Sequence, residues 1–157
     1  MNEILSEVMV DDVEACLRPT HFIDSDHETV LAFAAEAAGD AASPREKAVA
    51  IYYAVRDAIR YDPYRIVFEP EHFLASACVE RGYGFCITKS VLLAACFRAQ
   101  GIAARLGFGD VRNHLATKRL VEFNGGDVFH FHGYVQAHLD GKWVKATPAF
   151  NIELCDK

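Results

Sequence analysis

A thiol and an imidazole brought together can make and break acyl bonds, and this 157-residue sequence offers one candidate for each. Cys86 follows the glycine-containing turn Arg81-Gly-Tyr-Gly-Phe85 and opens a long apolar segment. That order predicts a sulfur at a helix N-terminus, where unpaired backbone N–H groups and the helix dipole favour the thiolate. A thiol nucleophile also needs a base, and the base needs a third group to fix its tautomer. His132 is the candidate base. It falls on the polar face of a segment whose other face is rich in phenylalanine, and Thr147 and Asn151 are candidate orienters of its ring. Cysteine is also a common small core residue, a description that fits Cys96, Cys16 and Cys78, and plain solvation accounts for His130 and His138.

The elements that must carry these residues are legible in outline. Ser25-Asp-His-Glu28 has the spacing of a capping box ahead of Val30, Phe33, Ala34 and Ala37, and Gly39 is placed to end that helix. Ser43-Pro44-Arg-Glu46 repeats the start signal, and Ala48, Ile51, Tyr52, Val55 and Ile59 then form one apolar stripe that stops near Tyr61-Asp62-Pro63. A shorter helix is expected over 72–80. The segment 86–100 is apolar nearly all round over Val91-Leu-Leu-Ala-Ala-Cys-Phe97, which marks a central helix buried on most sides and stopped by Gly101.

Beyond Gly101 the period changes from 3.6 to 2. Strands are expected over 102–110, 120–123 and 128–139. In the last of these Phe129, Phe131, Val135, Ala137 and Leu139 point to the core, and His130, His132, Tyr134, Gln136 and His138 point away. Asp140-Gly141 is a two-residue hairpin signal, so Leu139 should pair with Lys142 and His138 with Trp143. Continued inward, that register sets Ala149 opposite His132, with Thr147 and Asn151 as its diagonal neighbours.

Composition narrows the partner. Sixteen Lys and Arg against 22 Asp and Glu give a net charge of −6, which repels nucleic-acid phosphates and anionic membranes, and 52% hydrophobic residues suit one globular domain over 1–157. No apolar run approaches the ~20 residues that span a bilayer, and the N-terminus lacks the basic start of a secretion signal, so a cytoplasmic protein is expected. Cys16, Cys78, Cys86, Cys96 and Cys155 form no C-x-x-C pair, and a disulfide framework or zinc finger is not indicated.

Several spaced elements together resemble the transglutaminase-like superfamily. They are Ser76-Ala-Cys-Val-Glu-Arg-Gly-Tyr-Gly-Phe-Cys86, the run from Ser90 to Arg98, Gly101-Ile-Ala-Ala-Arg105-Leu-Gly-Phe-Gly109, His132-Gly-Tyr-Val-Gln-Ala, Gly141-Lys-Trp143 and Thr147-Pro148. The resemblance covers about 45–150. It implies an α+β, papain-like fold with N-terminal helices and a central buried helix packed on an antiparallel sheet, with Cys86 as nucleophile and His132 as base. The family usually places an aspartate four residues after the tryptophan, where this chain has Thr147, and a hydroxyl brings no charge to stabilise an imidazolium. Asn151 is the other candidate orienter.

The leading expectation is therefore cysteine-dependent acyl transfer to an amine or to water, acting on a peptide or small amide, with no cofactor and no metal. Of the oxyanion donors only the backbone N–H of Cys86 is identifiable; Glu80, Tyr83 and Tyr134 are neighbours in the motif, and Gly82 and Gly84 serve the turn or a close approach of substrate. Two alternatives stay open. One is an inactive binding module, suggested by Thr147; the other is a metal site built on His130-x-His132 with His114 or Cys86 as third ligand.

Overall fold

The computed structural model describes residues 12–112 and 117–155. Helices α1 (Glu28–Ala38), α2 (Pro44–Ala58) and α3 (Ala75–Arg81) precede the central helix α4 (Cys86–Ala99). After it come strand β3 (Ala104–Arg112), helix α5 (Lys118–Asn124), strands β4 (Val128–Leu139) and β5 (Lys142–Ala146), and the short α6 (Ile152–Cys155). Two further strands, β1 (Arg60–Tyr61) and β2 (Tyr83–Gly84), pair in parallel just ahead of α4. A three-stranded antiparallel sheet in the order β3-β4-β5 covers one side of α4, and α1, α2 and α3 cover the others. The fold is the expected α+β arrangement.

The apolar periodicity accounts for most of this packing. Val30 on α1, Ile51 and Val55 on α2, Leu92, Leu93 and Phe97 on α4 and Val135 on β4 are buried in one cluster. Ser43 and Glu46 form a reciprocal capping box: the Ser43 hydroxyl accepts from the Glu46 N–H at 3.2 Å and the Glu46 carboxylate accepts from the Ser43 N–H at 2.9 Å. The β4–β5 register is the expected one, with Leu139 opposite Lys142 and His138 opposite Trp143, but the ladder stops at Val135 opposite Ala146. Trp143 closes this hairpin against His138 and under the Arg105 guanidinium, away from the cleft.

Three expectations are corrected. First, 120–123 is helical. Thr117 caps α5 by accepting the Leu120 N–H, and Gly125, at φ 76°, ends it, so local caps override a short apolar run. Second, α1 starts at Glu28 with His27 as its cap, Nδ1 accepting the Thr29 N–H at 3.2 Å; Ser25 is buried ahead of it. Third, the alternation of β4 breaks near its start. The β3–β4 register shifts between Gly109 and Val111, Phe131 takes a left-handed φ of 55°, and the residue is 73% exposed instead of buried. Among the described residues no helix is long and apolar enough to cross a membrane.

Candidate active site

Cys86 is the first residue of α4, and the local sequence explains why the helix starts there. Phe85 is extended, and the Thr88 hydroxyl closes the first turn by accepting the Phe85 N–H at 3.0 Å while donating to the Phe85 carbonyl at 3.3 Å. Strand β4 crosses this turn at Gly133. A Cβ added there would lie 3.0 Å from Ile87 Cα and 3.2 Å from the Cys86 carbonyl oxygen, so any side chain would push the strand away. Gly133 thereby lets β4 run backbone against backbone over Cys86 and carries His132, the preceding residue, into the same region. Gly84 makes a comparable approach to Thr88, 2.5 Å from a would-be Cβ, so its lack of a side chain serves the helix start and not a substrate.

Cys86, His132 and Thr147 line one cavity of about 670 Å³. Backbone N–H groups of Gly133, Ile87 and Cys86 itself point at the sulfur and favour the thiolate, but burial outweighs them and pushes the Cys86 thiol above its ordinary range. Burial likewise lowers the His132 imidazole, since withdrawal from water disfavours the imidazolium. The expected activation by the helix N-terminus is thus present but overridden at rest. The free site holds a neutral thiol and a neutral imidazole on one cavity, with no hydrogen bond between them and, among the described residues, no partner on either ring nitrogen.

The candidate orienters separate. Thr147 borders the cavity with its side chain exposed, and its carbonyl accepts from the Tyr52 hydroxyl at 3.2 Å. Asn151 is buried, and its amide is committed to backbone. Oδ1 accepts the Tyr61 N–H at 2.7 Å, and Nδ2 donates to the carbonyls of Arg56 and Ile59. It holds the C-terminal segment to the β1 region and makes none of its described bonds to His132. His130 pairs with Asp110, Nδ1 to carboxylate at 3.0 Å, with both side chains largely exposed. No group of three His, Cys, Asp or Glu is placed to hold a metal among the described residues, and His114 lies outside them. Tyr134 packs against Gly107 and under the Lys145 ammonium, and Tyr83 under the Arg65 guanidinium, so neither borders the cleft.

Tyr61, whose place in the sequence marks only the end of a helix, lines the same cavity. Its backbone is held by pairing with Gly84 and by Asn151, and its ring packs edge-on against Phe150 with centroids 4.9 Å apart. The phenol reaches the cavity near enough to Cys86 for a thiolate there to raise its pKa, adding to a larger upward push from burial. Its hydroxyl stays protonated, and no described hydrogen bond uses it. The signal was weak because a two-residue parallel strand has no period to read.

The comparisons with known proteins speak to the family and the fold. The family model described as the transglutaminase-like superfamily matches residues 31–148. No curated protein matches the sequence. Among solved structures, a "putative cysteine protease" from Cytophaga hutchinsonii superposes with a TM-score of 0.69 at 22% identity over 90% of this chain and 44% of its own. A "putative protease" from Parabacteroides distasonis gives a TM-score of 0.52 at 18% identity over 85% of this chain and 26% of its own. The chain spans under half the length of either, and at these identities the likeness speaks for the fold. With a family match across most of its length and the matching architecture, the chain belongs to the transglutaminase-like superfamily.

Proposed function

We propose that the chain is a cysteine-dependent enzyme acting on amide or related acyl bonds, with Cys86 as nucleophile and His132 as general base. As the Cys86 sulfur attacks the carbonyl carbon, His132 takes the thiol proton. The C–N bond then breaks, the departing amine receives that proton from the imidazolium, and a thioester remains. Water or a second amine, deprotonated by the same imidazole, resolves it. Two donors serve the oxyanion: the backbone N–H of Cys86 and the Tyr61 hydroxyl. The observation that carries this reading is the shared cavity of a helix-terminal thiol and an imidazole, held together by the close approach at Gly133.

The test is acylation of the protein by a small activated ester, followed by acid quench and peptide mass mapping. A thioester on Cys86 that hydroxylamine releases, absent in Cys86→Ala, is expected. Exposed Cys155 is the internal control. Equal acylation of Cys86 and Cys155, or none at Cys86, overturns the proposal and favours a binding module, which the absence of a carboxylate at Thr147 would suit.

Tyr61→Phe separates the phenol's two roles. It keeps the ring packing against Phe150 and removes the hydroxyl alone, so we expect kcat to fall by about 10²-fold, the usual cost of one oxyanion donor. The urea midpoint should stay where it was, because no described hydrogen bond is lost. Unchanged kcat would remove Tyr61 from the chemistry.

A further inference from the structure

We infer that the cleft recognises an acyl donor with a bulky apolar side chain next to the reacting carbonyl, and that Phe131 forms the wall against which that side chain packs. The inference rests on the reading of Cys86 as the nucleophile. The cavity, about 670 Å³, falls in the range of sites that enclose a small ligand or one to two residues of a peptide. Around Cys86 and His132 its lining is mainly apolar, including Ile66, Leu120, Phe123, Phe129, Phe131 and Phe150.

Charge points the same way. Among the described lining residues there is no carboxylate to receive an ammonium or guanidinium group. Arg112 is the formal cation there, and Asp127 already pairs with it at 3.1 Å. A lysine or arginine side chain would enter without a counter-charge, and a glutamate would meet an arginine already in use. Both lose hydration without full compensation.

Phe131 itself carries the strongest argument. Had β4 kept its alternation, this ring would lie on the core face with Val135 and Ala137. Instead the bulge turns it outward, with a left-handed φ of 55° that aromatic residues rarely adopt and 73% of its surface exposed. Asp110 holds the distortion, its carboxylate accepting the Phe131 N–H at 3.3 Å and pairing with His130. Phe123, on α5, leaves 61% of its surface open on the same cavity. Two exposed phenylalanines on the cavity of a half-buried imidazole, one of them held against its backbone preference, form an apolar recognition surface that a substrate side chain completes.

The test uses N-acetyl dipeptide amides differing only in the side chain beside the scissile carbonyl: Phe, Leu, Ala, Lys or Glu. Their affinity for Cys86→Ala, measured by calorimetry, reads recognition without chemistry. The Phe and Leu donors should bind at least ten-fold tighter than the Ala donor, and the Lys and Glu donors more weakly than Ala. Adding Phe131→Gly, which suits the left-handed backbone, should cut the Phe-over-Ala preference at least three-fold, and Phe123→Ala, on a different element, should reduce it as well. Equal affinity across the series, a preference for Lys or Glu, or a preference that survives both substitutions overturns the inference. Turnover of the same amides by the parent protein separates the two claims. Apolar preference in binding without Cys86-dependent turnover sinks the enzyme and leaves the recognition surface, whereas turnover without preference does the reverse.

Discussion

If His132 is the base, replacing it with alanine should lower kcat/KM for a peptide amide by about 10³-fold to 10⁴-fold, and the resting protonation states of the two groups give the reason for so large a loss. Burial holds the imidazole below its ordinary pKa and the thiol above its own. Each group is therefore neutral at pH 7, and in the proposed mechanism the Cys86 proton leaves only as the sulfur attacks, with His132 as its acceptor. The sign follows directly. The base is available wherever the imidazole is unprotonated, so activity rises along an acid limb that lies below the usual histidine value of about 6.5, then stays flat through pH 8. Thr147→Asp supplies a carboxylate, which the described lining of this cavity lacks. A negative charge on the same cavity as the ring favours the imidazolium, so the acid limb should move up in pH and the plateau should rise about ten-fold. Steady-state kinetics from pH 5 to 9 on the three proteins read both effects. An acid limb well above the histidine range in the parent, or a His132→Ala variant within ten-fold of it, removes His132 as the base.

Whether such a site is visible in a sequence depends on how local its supports are. Cys86 was legible because the signals that end α3 and begin α4, a glycine turn followed by an apolar run, lie within a few residues of the sulfur. The β4–β5 register was legible for the same reason, since Asp140-Gly141 sets it directly. His132 was legible only as a histidine on the polar face of a strand, because what carries it into the cavity of Cys86 is the contact of Gly133 with a helix more than forty residues earlier in the chain. Phe131 was misplaced because period 2 holds only while the ladder is regular, and the bulge that breaks it is held by Asp110 on the neighbouring strand. Asn151 was named for the right reason and is employed elsewhere. A short polar side chain near the ladder's end suits a ring orienter, yet Arg56, Ile59 and Tyr61 present unpaired backbone groups that an amide satisfies more fully. The burial of Lys89 was not legible, because Thr88-Lys89-Ser90 is a polar run whose partners, the carbonyls of Arg56 and Ile59, lie thirty or more residues away.

Lys89 gives the second large effect, on stability. It is fully buried on α4, and its ammonium donates to the carbonyls of Arg56 at 2.9 Å and Ile59 at 2.7 Å, where it joins Asn151 in capping the C-terminal end of α2. Lys89→Ala removes a packed four-carbon stem along with these bonds and should destabilise the protein by about 4 kcal/mol in urea unfolding at pH 7. Lys89→Met keeps most of the stem and leaves the carbonyls to Asn151, so at pH 7 it should cost only about 1 to 2 kcal/mol. The two proteins then diverge with pH. Burial lowers the Lys89 pKa to about 8, against 10.5 for the exposed side chain. Between those values the unfolded chain binds a proton that the folded chain does not, so the lysine's contribution to stability rises as pH increases through this window, by about 3 kcal/mol in full. Cys78 opposes it in both proteins, because burial raises its thiol to about 11 and the folded state then keeps a proton that the unfolded state loses. In the difference between parent and Lys89→Met that contribution cancels to first order. The destabilisation by methionine should accordingly grow from pH 7 to 10.5, and a difference flat across that range would mean that the buried amine keeps its proton as firmly as the exposed one.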